Sequence, residues 1–144
     1  MARITIDLPQ DFAYRTEIPL LGIHMNITGH LDNALLLTLV SEARQRCWEH
    51  MGYEVLDVEG VRLLVADAAV QYRSEALQGE TMALDMAFTD FNKYGFDIVW
   101  RVSDRDSARE VARGKTGMLS FDAAANKVVL LPDKLKQRLD VKQL

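Results

Sequence analysis

Between residues 34 and 51 apolar side chains return every three or four positions, and from residue 62 onward the repeat shortens to every second position. The first period predicts one long helix, the second a series of strands. Asp32 stands where an N-cap belongs and Gly52 where a C′ glycine belongs, which frames the helix. Its first two turns, "ALLLTLV", are apolar nearly all round, more than one buried face requires, so something must wrap them. The second half, "SEARQRCWEHM", is mixed and is expected to emerge toward solvent.

In "TMALDMAFTDF" the side chains of Met82, Leu84, Met86 and Phe88 alternate with Ala83, Asp85, Ala87 and Thr89, and in "GFDIVWRVSD" Phe96, Ile98, Trp100 and Val102 share one face. These read as two half-buried strands. Further strands are expected over 13–20, 62–73 and 108–122, separated by the short polar breaks "LQGE", "NKYG" and "SDRDS". The order is strand, long helix, then four strands that can run as an antiparallel meander, an α+β domain in which a curved sheet of five or six strands wraps one central helix. Gly114 and Gly117 lie inside the last long strand, where glycine weakens pairing and marks a close approach. The exposed edges of such a sheet predict a homo-oligomer, a dimer or a dimer of dimers.

The chain has 144 residues, 49% of them hydrophobic, enough for one core and one domain spanning 1–144. A net charge of −4 argues against a nucleic-acid partner. Residues 1–72 carry ten acids and five bases, residues 73–144 eleven acids and twelve bases, so an anionic ligand would find its counter-charges in the second half. Arg101, Arg113 and Lys115 are the candidates. One cysteine, Cys47, permits no internal disulfide and is expected to be a buried, inert thiol. No apolar run of signal-peptide or membrane-spanning length appears, and a cytoplasmic location is expected. His24 and His30 do not amount to a metal site.

The segment "GHLDNALLLTLVSEARQRCWEHMGY" resembles the hot-dog fold thioesterases of the 4-hydroxybenzoyl-CoA thioesterase and acyl-CoA thioester hydrolase type. Gly29-His30-Leu31-Asp32-Asn33 fills that family's G-H-V-N-N segment, Ser41-Glu42-Ala43-Arg44 its E-x-A-R segment, and Met51-Gly52-Tyr53 its helix end. The likeness continues through "VADAAVQYRSEALQGETMALDMAF" to "SFDAAANKVVLLPDKLKQRL", whose end resembles a last strand and a proline-initiated turn. The resemblance implies a hot-dog fold and hydrolysis of acyl-CoA or acyl-carrier-protein thioesters at the start of the helix, with no cofactor. It also implies that the backbone N–H of Asn33 polarises the thioester carbonyl, with Gly29 and Asp32 shaping the segment.

The sequence departs from the pattern at one position. Catalytic members carry an aspartate four residues before this histidine, and here that residue is Asn26, which cannot ionise and so is neither nucleophile nor general base. Asn26 can still orient a water or bind the carbonyl. Asp32 and Glu42 are then the carboxylates to consider as bases, although Asp32 is also explained as an N-cap and Glu42 as an exposed helix glutamate. His30 reads equally as a contact to the acyl group or departing thiol and as a loop histidine bound to backbone. A non-catalytic acyl-thioester-binding protein is the alternative that Asn26 raises. "MNITGH" lacks the acid and histidine dyad that a hydratase would require.

Overall fold

Asp32 turns the chain into its long helix. In the computed structural model, which describes residues 2–144, helix α1 runs Asn33–His50, and Asp32 Oδ1 accepts from Ala34 N at 2.9 Å and Leu35 N at 3.1 Å. At the other end Gly52 takes φ +87°, and Gly52 N and Tyr53 N donate back to Glu49 O and Trp48 O, a Schellman closure that favours glycine at this position. Leu36, Leu39, Val40, Ala43, Cys47 and Trp48 are buried at helical spacing, each large one contributing roughly 1.5–3 kcal/mol. Two expectations need correction here. Ala34 and Thr38 are exposed, so the apolar first turns are covered on one side only. Cys47 and Trp48, in the mixed second half, are as buried as Leu36 because the helix's closing end is sealed by aromatic side chains.

The strands are β1 Tyr14–Pro19, β2 Arg62–Tyr72, β3 Thr81–Thr89, β4 Gly95–Asp104, β5 Glu110–Asp122 and the short β6 Lys127–Val128. They form one antiparallel sheet in the order β1-β3-β4-β5-β2, with β6 also against β5. The expected four-strand meander is therefore only partly right. β3, β4 and β5 are consecutive neighbours, but β2 does not pair with β3; it crosses to the far edge beside β5. The two glycines explain that placement: a Cβ on Gly114 would sit 2.5 Å from Ala69 O, and one on Gly117 would sit 2.5 Å from Asp67 Oδ1. Ala69 and Asp67 both belong to β2, so at these two positions β2 approaches β5 too closely for a side chain on β5. A Cβ on Gly114 would also strike the Trp100 ring, whose indole N–H donates to Thr116 Oγ1 at 3.1 Å in the core.

β3 is buried on both faces, not half-buried as its alternation suggested. Ala83, Asp85 and Ala87 are covered along with Met82, Leu84 and Met86. The N-terminal segment crosses that outer face: the guanidinium of Arg101 lies 4.8 Å over the Phe12 ring, Ile6 N donates to the side-chain Oε1 of Gln71, and Arg113 Nη1 donates to Ile6 O. Asp85 is admitted there because Arg15 and Arg101 pair with it at 3.4 and 3.0 Å. After Pro132 a second helix, α2 Asp133–Leu139, buries Leu135 and Leu139, matching the proline-initiated turn. A long helix against a curved antiparallel sheet is the hot-dog arrangement that the resemblance implied.

Candidate active site at the start of the central helix

The segment before α1 is organised by Asn26. Its Oδ1 accepts from Thr28 N at 2.9 Å, from Thr28 Oγ1 at 2.6 Å and from His30 N at 3.3 Å, while Asn26 N donates to His30 O at 2.8 Å. Asn and Asp favour such turns because the side-chain carbonyl reaches the backbone two residues on. Gly29 takes φ +81°, which closes the turn. His24 Nδ1 accepts from Leu21 N, a structural role.

The crossing of β2 to the far edge sends residues 73–80 past this turn. Leu31 N donates to Ala76 O at 2.8 Å, and His30 forms a β-bridge with Leu77. That contact places Glu75 beside His30: His30 Nε2 lies 2.9 Å from Glu75 Oε2, and His30 Nδ1 lies 3.0 Å from Thr28 Oγ1. Thr28 thus joins Asn26 and His30 by hydrogen bonds, and Glu75 stands at ion-pair distance from His30. The hydroxyl of Thr28 has a single proton. It goes to His30 Nδ1 when the ring is neutral with its proton on Nε2, and to Asn26 Oδ1 when both ring nitrogens are protonated.

These residues wall a cavity of about 460 Å³ whose lining also includes Asn33, Tyr72 and Arg73, with Leu36, Ala76 and Val111 supplying apolar surface. The Asp32 side chain satisfies the N–H groups of Ala34 and Leu35, and the N–H of Asn33 has no partner among the described residues. A free N–H at a helix start, reinforced by the helix dipole, is a donor for a developing oxyanion. Tyr72 Oη donates to Asn33 O at 2.8 Å, and burial together with the charge of Asp32 pushes its phenol pKa upward.

The other expected site residues lie elsewhere. Glu42 is half-exposed and pairs with Arg46 at 2.9 Å, outside the cavity lining. Arg101 is engaged by Asp85, and Arg113 by Glu110 at 2.8 Å and by Ile6 O, so neither lines this cavity. The guanidinium of Arg113 holds the Glu110 carboxyl below the usual carboxylate range. The cavity's own cation is Arg73, which forms no ion pair among the described residues. Burial pushes the Cys47 thiol up to about 12, so it is no nucleophile at neutral pH. Thr28, Tyr72, Arg73 and Glu75 escaped the sequence reading. Thr28 lies within the quoted motif and would have followed from the Asn-x-Thr turn spacing. The other three depend on the strand crossing, which has no local signal.

The thioesterase-like superfamily pattern matches residues 21–139, from just before the Asn26 turn through the final helix. The chain belongs to the thioesterase-like superfamily. Solved thioesterase structures share its fold. A 1,4-dihydroxy-2-naphthoyl-CoA thioesterase from Synechocystis is 16% identical, with 88% of this chain and 94% of that one covered at a TM-score of 0.79. The probable thioesterase YbaW from Escherichia coli is 18% identical over 88% and 96% of the two chains, TM-score 0.72. A Thermus thermophilus thioesterase solved with coenzyme A and zinc is 17% identical over 90% and 99%, TM-score 0.77. No curated protein matches the chain in sequence. Among the described residues of this thioesterase-like chain, no three His, Cys, Asp or Glu side chains gather as a metal site, and no helix is long and apolar enough to cross a membrane. Thioester hydrolysis is the activity its superfamily supports.

Proposed function

We propose that this chain hydrolyses the thioester of an acyl-CoA or acyl-carrier-protein substrate in the cavity at the start of α1. The observation that carries the reading is the free N–H of Asn33 in the cavity lining, left over when Asp32 caps the next two residues. One such donor contributes about 2.7–4 kcal/mol when the carbonyl oxygen gains charge. Asn26 Nδ2, outside the turn's hydrogen bonds, orients the carbonyl or the attacking water, and His30 bounds the acyl side. Gly29 and Asp32 act through the backbone, one by closing the turn and one by capping the helix. Arg73 is the nearest cation for a substrate phosphate or carboxylate, whereas Arg101 and Arg113 serve that purpose only by leaving their present ion pairs.

The working unit is a homodimer joined at β2. That strand has β5 on one side and no neighbour on the other, and it exposes Leu64 and Val65. An unpaired edge with exposed apolar side chains is a pairing surface, and β2 ends at Tyr72 in the cavity lining. Val65→Lys is expected to shift sedimentation from dimer to monomer and to lower activity in step. A monomeric wild-type protein removes the dimer from the reading.

Incubation with a panel of acyl-CoA thioesters of varied chain length and with benzoyl-CoA, following free thiol, tests the hydrolase. Release from at least one member is expected. Clear binding with no release from any member favours the second reading, an acyl-thioester-binding protein, which the non-ionisable Asn26 supports.

A further inference from the structure

Beside a polarised carbonyl, thioester hydrolysis needs a group that takes a proton from the attacking water, and Asn26 cannot supply it. Among the described residues one carboxylate lines the cavity, Glu75. The two carboxylates suggested by the sequence are occupied: Asp32 caps two helix N–H groups and Glu42 pairs with Arg46. We infer that Glu75 is the general base of this chain and that His30 is its positioning residue. The inference rests on the thioesterase reading above.

The geometry fits that division of labour. His30 Nδ1 is hydrogen-bonded to Thr28 Oγ1 at 3.0 Å, and Nε2 faces Glu75 Oε2 at the ion-pair distance of 2.9 Å, so both ring nitrogens already have a polar neighbour. Glu75 has an oxygen left: its Oε1 makes no hydrogen bond or ion pair among the described residues, and 73% of the side chain is open to solvent. Its backbone is pinned on both sides, since Arg109 Nη2 donates to Glu75 O at 3.0 Å and Leu31 N donates to Ala76 O. Arg109 is itself held by Glu80 at 2.9 Å. The titratable groups that share the cavity lining with Glu75 are His30, at ion-pair distance, Tyr72 and Arg73. An exposed His–Glu pair adds little to stability. A carboxylate on a pinned backbone, with one free oxygen at the rim of a cavity, is more useful as a base than as a strut.

In the step, Glu75 Oε1 takes a proton from water as the water oxygen bonds to the thioester carbonyl carbon, and the resulting oxyanion is received by Asn33 N–H. The carbon–sulfur bond then breaks, the sulfur leaves with its electron pair, and the proton on Glu75 passes to it, restoring the carboxylate. The product acid loses its own proton to solvent. Water is the only co-reactant.

The test measures thiol release from acetyl-, hexanoyl-, palmitoyl- and benzoyl-CoA by wild-type protein, Glu75→Gln, Glu75→Ala and His30→Gln. Glu75→Gln is expected to lower kcat by about 10²-fold or more, the ordinary worth of a general base, with KM little changed. Formate is expected to restore part of the activity of Glu75→Ala, because a small carboxylate can occupy the vacated place. His30→Gln, which keeps an N–H donor toward Glu75, is expected to retain more activity than His30→Ala, measured alongside it. Glu75 is exposed, so an unchanged KM and an unchanged melting curve separate loss of the base from loss of fold. Full kcat in Glu75→Gln, with active wild type, overturns the base and leaves the hydrolase standing. A Glu75→Ala variant that formate does not revive counts against the base in the same way. No thiol release by wild type from any of the four overturns both.

Discussion

The two ends of α1 show how one helix can serve opposite purposes. At the closing end the outgoing carbonyls of Cys47, Trp48, Glu49 and Met51 meet partners from the chain itself: Met51 N, Gly52 N and Tyr53 N turn back onto the last turn, and Arg138 Nη2 donates to Met51 O at 2.8 Å. Around it Trp48, Phe88 and Phe96 pack ring on ring with centroids 5.8–6.4 Å apart, and Arg138 lies 4.7 Å over the Tyr53 ring. At the opening end Asp32 satisfies two N–H groups and leaves the N–H of Asn33 without a partner among the described residues, on a residue that lines the cavity. A helix must find partners for its terminal groups from somewhere. Where aromatic rings and an arginine close over the terminal groups the helix end is structural; where an unpartnered group stands beside a cavity, a ligand can complete it.

The largest expected effect lies at the closing end. Trp48→Ala should cost about 3–5 kcal/mol in urea unfolding, as an aromatic removed from a filled core does, while kcat per folded molecule stays near that of wild type. A fall in kcat of the folded variant would mean that the two ends are coupled. The next effect is alkaline. Burial first, and then the hydrogen bond Tyr53 donates to Glu59, raises the Tyr53 phenol to about 12, and burial raises the Cys47 thiol to about 12. Both groups hold their protons more tightly when folded, so their contribution is complete below the unfolded values near 10 and 9. It is lost as pH rises toward 12, where the unfolded chain binds fewer protons. Urea midpoints measured between pH 8 and 11.5 should fall, and Tyr53→Phe should flatten the fall. A smaller loss belongs to the opening end: Asp32→Ala removes the cap and should cost about 1 kcal/mol, visible as a lower melting temperature.

The helix was legible because its signals are local. Asp32, the 3.6-residue spacing and Gly52 fix both ends within a few residues of each other's reading frame. The strands were legible for the same reason, but not their order, since pairing β2 with β5 depends on which strand can admit a neighbour over Gly114 and Gly117. The same distinction runs through the site. Asn26, Gly29, His30, Asp32 and Asn33 sit within eight residues of sequence and come together in the structure. Glu75 is carried to His30 from the far side of the β2 crossing, and period or motif cannot place it. Glu42, Arg101 and Arg113 looked available because sequence shows charge without showing the partner that occupies it.

The smallest expected change in stability sharpens the comparison most. In Asn26→Asp one carboxylate oxygen can accept the three hydrogen bonds now made to Oδ1, so the turn should persist with a change below about 0.5 kcal/mol. Those donors also favour the charged form of the new aspartate. If the opening end lacked a base, thiol release would rise. With Glu75 as the base, the wild-type background gains nothing from a second carboxylate and loses the Asn26 Nδ2 donor, so kcat should be unchanged or lower. The same substitution in Glu75→Gln should instead recover activity, because the turn then presents the carboxylate that the rim has lost. A rise in the wild-type background that is equally large with Glu75 replaced by Gln, from a Glu75→Gln parent as active as wild type, would place the missing base at position 26 and remove Glu75 from that role.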